Sequence, residues 1–161
     1  MNTCSQQDQC KVEAFSGIFH FLSNFHPAPI MYRGIAYPTS EHAYQAAKTL
    51  NENSRMNISI LGSPYEAKKY GKTVKLRSDW DEINLEVMAE IVRAKFIQNP
   101  SLKEKLLATD DLILEEGNTW GDTYWGVCKG KGENHLGKIL MELRDCLNTN
   151  TEETSNEESN N

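Results

Sequence analysis

The stretch Asp79–Gln98, DWDEINLEVMAEIVRAKFIQ, decides how this chain is read. Asp79 and Glu82 have the spacing of a capping box, and Ile83, Val87, Ile91 and Ala94 then recur along one helical face. Gln98-Asn99-Pro100 ends the pattern, and Pro100 is suited to begin another helix, with Leu102, Leu106 and Leu107 buried. A helix this long with one apolar stripe needs other helices to cover it. The flanking sequence supplies them. Ser40–Leu50, Ser54–Leu61 and Pro64–Tyr70 read as helices, the last opened by Ser63-Pro64 and stopped by Gly71. Near the C-terminus, Leu136, Ile139, Leu140, Leu143 and Leu147 form one more stripe.

Strand signals are few. Lys11–Asn24 suits a short strand followed by a loop, and Leu112-Ile-Leu114 a short buried strand. Ile30–Tyr37 reads as extended, with Arg33-Gly34 at a turn or bulge. Residues 117–137 hold six glycines and read as loop. The expected architecture is mainly α, an α+β fold with a minor β element in one compact helical domain. Its boundaries are a flexible N-terminus over 1–11, a catalytic domain over 12–148 and a disordered acidic tail over 149–161.

The 161 residues suit one domain, and the net charge is −6. The last eleven residues hold four glutamates and no lysine or arginine, leaving residues 1–150 at −2. Thr, Glu, Ser and Asn alone cannot bury enough apolar surface to offset ordering entropy, hence the disordered tail. The rest lacks the global basic excess that would by itself indicate nucleic-acid binding. No run approaches the ~20 apolar residues of a membrane span, and the N-terminus lacks a basic start and apolar core. Cys4, Cys10, Cys128 and Cys146 lack zinc-site spacing and read as reduced thiols. The expected location is cytoplasmic, with no metal or cofactor required.

Glu41, Gln45 and Lys48 stand at i, i+4 and i+7 and project from one helix face. The ordinary reading of such a face is solvated, with pair energies of about 0.3 kcal/mol. The functional reading requires a pocket. Glu41 lies in the first turn, where the helix dipole favours the carboxylate; it is then a base or electrostatic stabiliser unless burial overrides the dipole. Further along, Trp120–Gly126 sets Asp122 among three aromatics, a core cluster or a platform for a nucleobase. Lys129–Asn134 brings two lysines and two glycines to the start of the final helix, an arrangement suited to phosphate. It is neither a P-loop nor a dinucleotide fingerprint, and Asn134 also suits a helix N-cap. His42 and His135 fit structural or surface positions, and His20 and His26 carry no motif.

In combination these segments resemble the NADAR, or YbiA-like, family. The resemblance runs from Phe15 to Leu147 through Leu22-Ser-Asn-Phe25, Pro38-Thr-Ser-Glu-His42 with Gln45 and Lys48, and Arg77-Ser-Asp-Trp80. It continues in Ala94-Lys-Phe96, Leu106-Leu-Ala-Thr109, Asp122-Thr-Tyr-Trp-Gly126, Asn134-His-Leu-Gly137 and Leu140-Met-Glu-Leu-Arg144. It implies an N-glycosidase, a hydrolase acting on a base or amine joined to a phosphorylated ribose. The substrate is ADP-ribose on modified guanine, in a small nucleotide-like molecule or in nucleic acid, or a ribosylamino intermediate of riboflavin synthesis. Glu41, Lys48 and Asp122 carry over as catalytic residues. The implied substrate-binding set is Ser23, Asn24, Phe25, Gln45, Tyr124, Trp125, Gly126, Lys129 and Asn134. Val127-Cys-Lys129 departs from a more glycine-rich stretch and leaves the substrate open. The competing readings are a non-catalytic ADP-ribose or NAD binding module, and a structural protein in which Glu41, Lys48 and Asp122 lie far apart.

Overall fold

The computed structural model describes residues 10–158, and the Asp79–Gln98 pattern forms its central helix. Six helices are found among these residues: α1 (Ser40–Ala47), α2 (Glu52–Ser59), α3 (Pro64–Gly71), α4 (Trp80–Gln98), α5 (Pro100–Leu107) and α6 (His135–Glu158). Helix α4 packs against α1, α5, α6 and the hairpin strand β2 (Ile30–Tyr32). Its buried row is broader than the predicted stripe: Val87, Met88, Ile91, Val92 and Phe96 are inside, while Ile83 and Ala94 are only partly buried. Neighbours on several sides demand that width. The predicted capping box does not form. The Asp79 carboxylate instead takes two bonds from Arg77, Nε to Oδ1 at 2.6 Å and an Nη to Oδ2 at 2.9 Å.

Helix starts elsewhere follow side-chain capping. The Thr39, Asn51 and Ser63 side chains accept the backbone N–H of His42, Ser54 and Glu66 at α1, α2 and α3. Asn51 therefore starts α2 earlier than the predicted Ser54. Helix α6 buries Leu136, Leu140, Leu143 and Leu147 as the stripe requires. It then continues to Glu158, through most of the segment whose composition reads as disordered. Past Leu147 the sequence offers no further apolar position. The helical ladder is simply propagated from a packed, already nucleated segment.

Strands occur only as pairs. β2 and β3 (Ile35–Tyr37) form an antiparallel hairpin turning at Arg33-Gly34, both with positive φ (48° and 82°), the geometry of a two-residue primed turn. β1 (Lys11–Val12) lies parallel to β4 (Ile113–Leu114), and the Cys10 carbonyl accepts the Ile113 N–H. Cys10 and Lys11 thus belong to the fold rather than to a flexible N-terminus; residues 1–9, with Cys4, lie outside the described residues, as do 159–161. Within the stretch read as loop, β5 (Gly117–Asn118) pairs in parallel with β6 (Val127–Cys128). Gly17–Leu22, read as strand and loop, is a 3₁₀ helix. The fold is mainly helical α+β. No described helix is long and apolar enough to cross a membrane, and Cys10, Cys128 and Cys146 are free thiols.

Candidate active site

Helix α1 is buried along its whole length, with Ala43, Ala46 and Ala47 admitting α2, α3 and α4 at close range. This overturns the solvated-face reading. Glu41 is 7% exposed, and the Gln45 Nε2 donates to its Oε1 at 2.7 Å. Gly71 of α3 presses on the same amide; a Cβ there would lie 2.0 Å from Gln45 Oε1. Burial pushes the Glu41 pKa up, against the Gln45 hydrogen bond and the charges of Lys68 and Lys48, while Asp122 pushes it up further. Burial therefore outweighs the helix dipole and favours the neutral form of the Glu41 carboxyl.

Lys48 follows α1 as its C-cap, half-buried, with Nζ 5.4 Å from the centre of the Tyr44 ring. Burial lowers its pKa; Glu41 opposes the shift, and Lys68 and Lys72 add to it. The Tyr44 ring packs edge-on against Trp125 at 5.5 Å and tilted against Trp80 at 5.2 Å. His42 is a structural histidine. Its ring lies between Thr39 Oγ1 at 2.7 Å and the Leu61 carbonyl at 3.1 Å.

Asp122 lies on the loop between β5 and β6. Its backbone is gripped by Asn118, and its Oδ1 accepts the N–H groups of Tyr124 and Trp125 at 3.1 and 2.9 Å. Among the described residues Oδ2 is given no such bond. Asp122 lies close enough for its charge to act on Glu41, Tyr44 and Glu116. Tyr124 stands at the rim, its hydroxyl donating to Asn84 Oδ1 at 2.8 Å and its ring edge-on to Trp125. Gly126 is required where it is, because a Cβ would meet the Glu116 carbonyl at 2.1 Å. Trp120 is 67% exposed and takes no part in these ring contacts.

The Ser23-Asn24-Phe25 wall is held from several sides. Ser23 Oγ accepts the Phe25 N–H, the Asn24 carbonyl accepts the Glu41 N–H, and buried Asn24 directs its amide at Met88 sulfur. His20 and His26 bracket this segment with their Nδ1 atoms 2.9 Å apart. The Ser23 carbonyl accepts from Lys95 Nζ at 2.8 Å. Lys95 is fully buried, and burial drops its pKa to about 7. Glu116 is raised to about 7, first by burial and then by Asp122, with Lys95 and Lys68 opposing; its Oε2 is buried without a partner. Sequence reasoning missed Lys68, Lys95 and Glu116. Lys95 did leave a signal: it lies four residues after Ile91 and three after Val92, within the apolar row of α4.

The expected phosphate loop is differently built. Lys129 and Gly130 are the positive-φ residues (51° and 75°) of a tight hairpin closed by Cys128 and Lys131. The first amides of α6 are already used, His135 N–H by the Tyr124 carbonyl and Leu136 N–H by the Trp125 carbonyl. Asn134 stands at the N-cap position, its carbonyl accepting the Lys138 N–H, but its side chain does not cap the helix. Its φ is 52°, its Oδ1 accepts the Glu116 N–H at 3.0 Å and its Nδ2 donates to the Leu114 carbonyl at 2.9 Å. The fold thus groups Glu41, Gln45, Lys48, Asp122 and Trp125 around Tyr44. Lys129 is left exposed on its turn, and Asn134 acts as a brace.

Three comparisons bear on this arrangement. The NADAR domain matches residues 5–148. The N-glycosidase YbiA of Escherichia coli (strain K12) is 44% identical over 129 residues, covering 78% of this chain and 80% of that protein. The riboflavin biosynthesis protein VVA0006 of Vibrio vulnificus is 40% identical over 132 residues, covering 79% of this chain and 35% of that longer protein. The NMR structure of E. coli YbiA superposes with a TM-score of 0.77 at 37% identity, covering 94% of this chain and 95% of the other.

Proposed function

Because the chain belongs to the NADAR family and is a hydrolase acting on N-glycosyl compounds, we propose that it cleaves the bond between a base or amine and C1′ of a phosphorylated ribose. The observation that carries this reading is the Glu41 carboxyl: buried, bonded to Gln45, and within electrostatic reach of Asp122 and Lys48. Cleavage at C1′ builds positive charge on the sugar and negative charge on the departing nitrogen. Two carboxyl groups in unlike surroundings divide these tasks. Protonated Glu41 delivers its proton to the leaving nitrogen. Asp122, with one oxygen fixed by two backbone amides, offers the other to C1′ or to the attacking water. Trp125 or Tyr124, whose rings stand nearly perpendicular to each other, stacks on the base.

The ribosylated group is a ribosylamino intermediate of riboflavin synthesis or ADP-ribose on guanine. The name of the Vibrio vulnificus relative supports the first. Presenting both substrates and weighing the released base and sugar by mass spectrometry decides between them. Binding of either one without release of base would favour a non-catalytic module and refute the proposal.

A second route is favoured by the lowered pKa of half-buried Lys48. A glycosylamine opens to an imine, and a neutral lysine amine adds to C1′ and expels the base amine, leaving a Schiff base for water to hydrolyse. Borohydride treatment during turnover tests it. A ribose adduct on Lys48 supports the covalent route, and its absence leaves Lys48 as an ammonium that binds the sugar or its phosphate.

A further inference from the structure

At the start of α6 the His135 and Leu136 amides are taken by the Tyr124 and Trp125 carbonyls, and just before it the Glu133 and Asn134 amides are taken by the Thr123 and Gly126 carbonyls. Positive charge for a phosphorylated substrate is also offered by side chains on the other side of α1. Lys68 on α3 and Lys72, the C-cap of that helix, are four residues apart with helical backbone geometry and so project to one side, and α3 packs directly on α1. Lys68 Nζ lies 5.8 Å from the centre of the Phe25 ring, and Phe25 is itself set edge-on to Tyr65 at 4.8 Å. Both lysines are exposed. The ion pairs of the described residues include neither of them, nor Lys48.

Lys68, Lys72 and Lys48 thus stand without a carboxylate within ion-pair distance among the described residues. Lys68 acts electrostatically on Glu41 and Glu116, and both Lys68 and Lys72 act on Lys48. Such a cluster repels itself and attracts a small anion. Lysine binds phosphate as a point charge and needs no fixed fork geometry. Resting on the reading above, we propose that Lys68 and Lys72, with Lys48, form the subsite for phosphate on the ribose, seated at the α1–α3 edge over Phe25. The ribose then spans from this edge to Glu41 and Asp122, and the base lies toward Trp125. The same chemistry serves a 5′-monophosphate or a diphosphate linked to a second nucleoside.

Calorimetric titration of the full chain with ribose, ribose 5-phosphate and ADP-ribose tests the subsite. The wild type is expected to bind both phosphorylated ligands more tightly than ribose. Replacing Lys68 and Lys72 together by alanine should weaken both by about tenfold or more for each lysine lost, and leave ribose unchanged. Lys69→Ala on the same helix should have no effect, and arginine at 68 and 72 should restore most of the affinity. A larger loss for ADP-ribose assigns the cluster to a diphosphate, and equal losses assign it to a monoester. Equal wild-type affinity for ribose and ribose 5-phosphate, or unchanged phosphate affinity in the double alanine variant, would overturn the proposal. Base release is read separately: a wild type that binds phosphates in this way but releases no base refutes the substrate reading and leaves the subsite standing.

Discussion

Glu41→Gln isolates the chemistry of the buried carboxyl from its packing. The replacement is nearly isosteric, and its amide oxygen can still accept the Gln45 Nε2 hydrogen bond that now spans 2.7 Å. A bond to a charged acceptor is worth about 1.5–3 kcal/mol and a neutral one about 0.5–1.5 kcal/mol, so ionised Glu41 would lose about 1 kcal/mol of bonding. Against this, glutamine removes the cost of burying a charge. The Glu41 pKa is raised in the folded state, so its stabilisation is complete below the unfolded value of 4.5 and is lost as pH rises through the folded value. Above that range the variant should be as stable as the wild type or more so; near pH 4 the two should be close. Turnover should fall by about 10²–10⁴, the range for loss of a general acid. The wild-type rate should decline as pH rises through the Glu41 pKa, and the variant should lack that limb. The assay is base release by mass spectrometry across pH, with thermal melts on the same samples. Full activity in Glu41→Gln would refute the assignment. Loss of activity accompanied by a collapse of the melting temperature would show that Glu41 holds the fold rather than a proton.

Three further substitutions probe its surroundings. The Lys95 pKa is depressed to about 7, so the stability it withholds returns as pH rises from there towards 10.5; Lys95→Met should flatten the pH dependence of urea melts in that interval and match or exceed wild-type stability near pH 7. Asn134→Ala strips partners from the Glu116 N–H and the Leu114 carbonyl and should cost about 1–3 kcal/mol in chemical denaturation, with phosphate affinity unchanged. Gly71→Ala drives a methyl into Gln45 Oε1, which must move and carry Glu41 with it. Its expected signature is about 1–3 kcal/mol of destabilisation together with reduced turnover, and wild-type kinetics would disprove the link from α3 to the carboxyl.

Much of the scaffold was legible because its signals are local. Ser63-Pro64 before α3, Thr39 before α1, the Arg33-Gly34 turn and the leucine stripe of α6 each specify backbone geometry through their nearest neighbours. The Asp79 cap failed for an equally local reason, because Arg77 competes for the same carboxylate through two bonds. Pairing between β5 and β6 was not legible. Two residues per strand leave no alternation to read, and register there is set by Gly126 approaching the Glu116 carbonyl.

The site divides along the same line. The i, i+4, i+7 spacing puts Glu41, Gln45 and Lys48 on one face, but spacing carries no information on what that face meets. The deciding fact is three-dimensional: small residues on α1 let three helices enclose it, and burial raises the pKa of a carboxyl that would be an ordinary anion in water. The loop before α6 shows the converse. Glycines and lysines before a helix suit an anion only if the helix amides are free, and here the Tyr124 and Trp125 carbonyls reach them first. Those same two bonds tie the aromatic loop to the start of α6 and set Trp125 against Tyr44. The α6 amides therefore serve to hold the aromatic loop, and the proposed phosphate subsite draws on Lys68 and Lys72 instead.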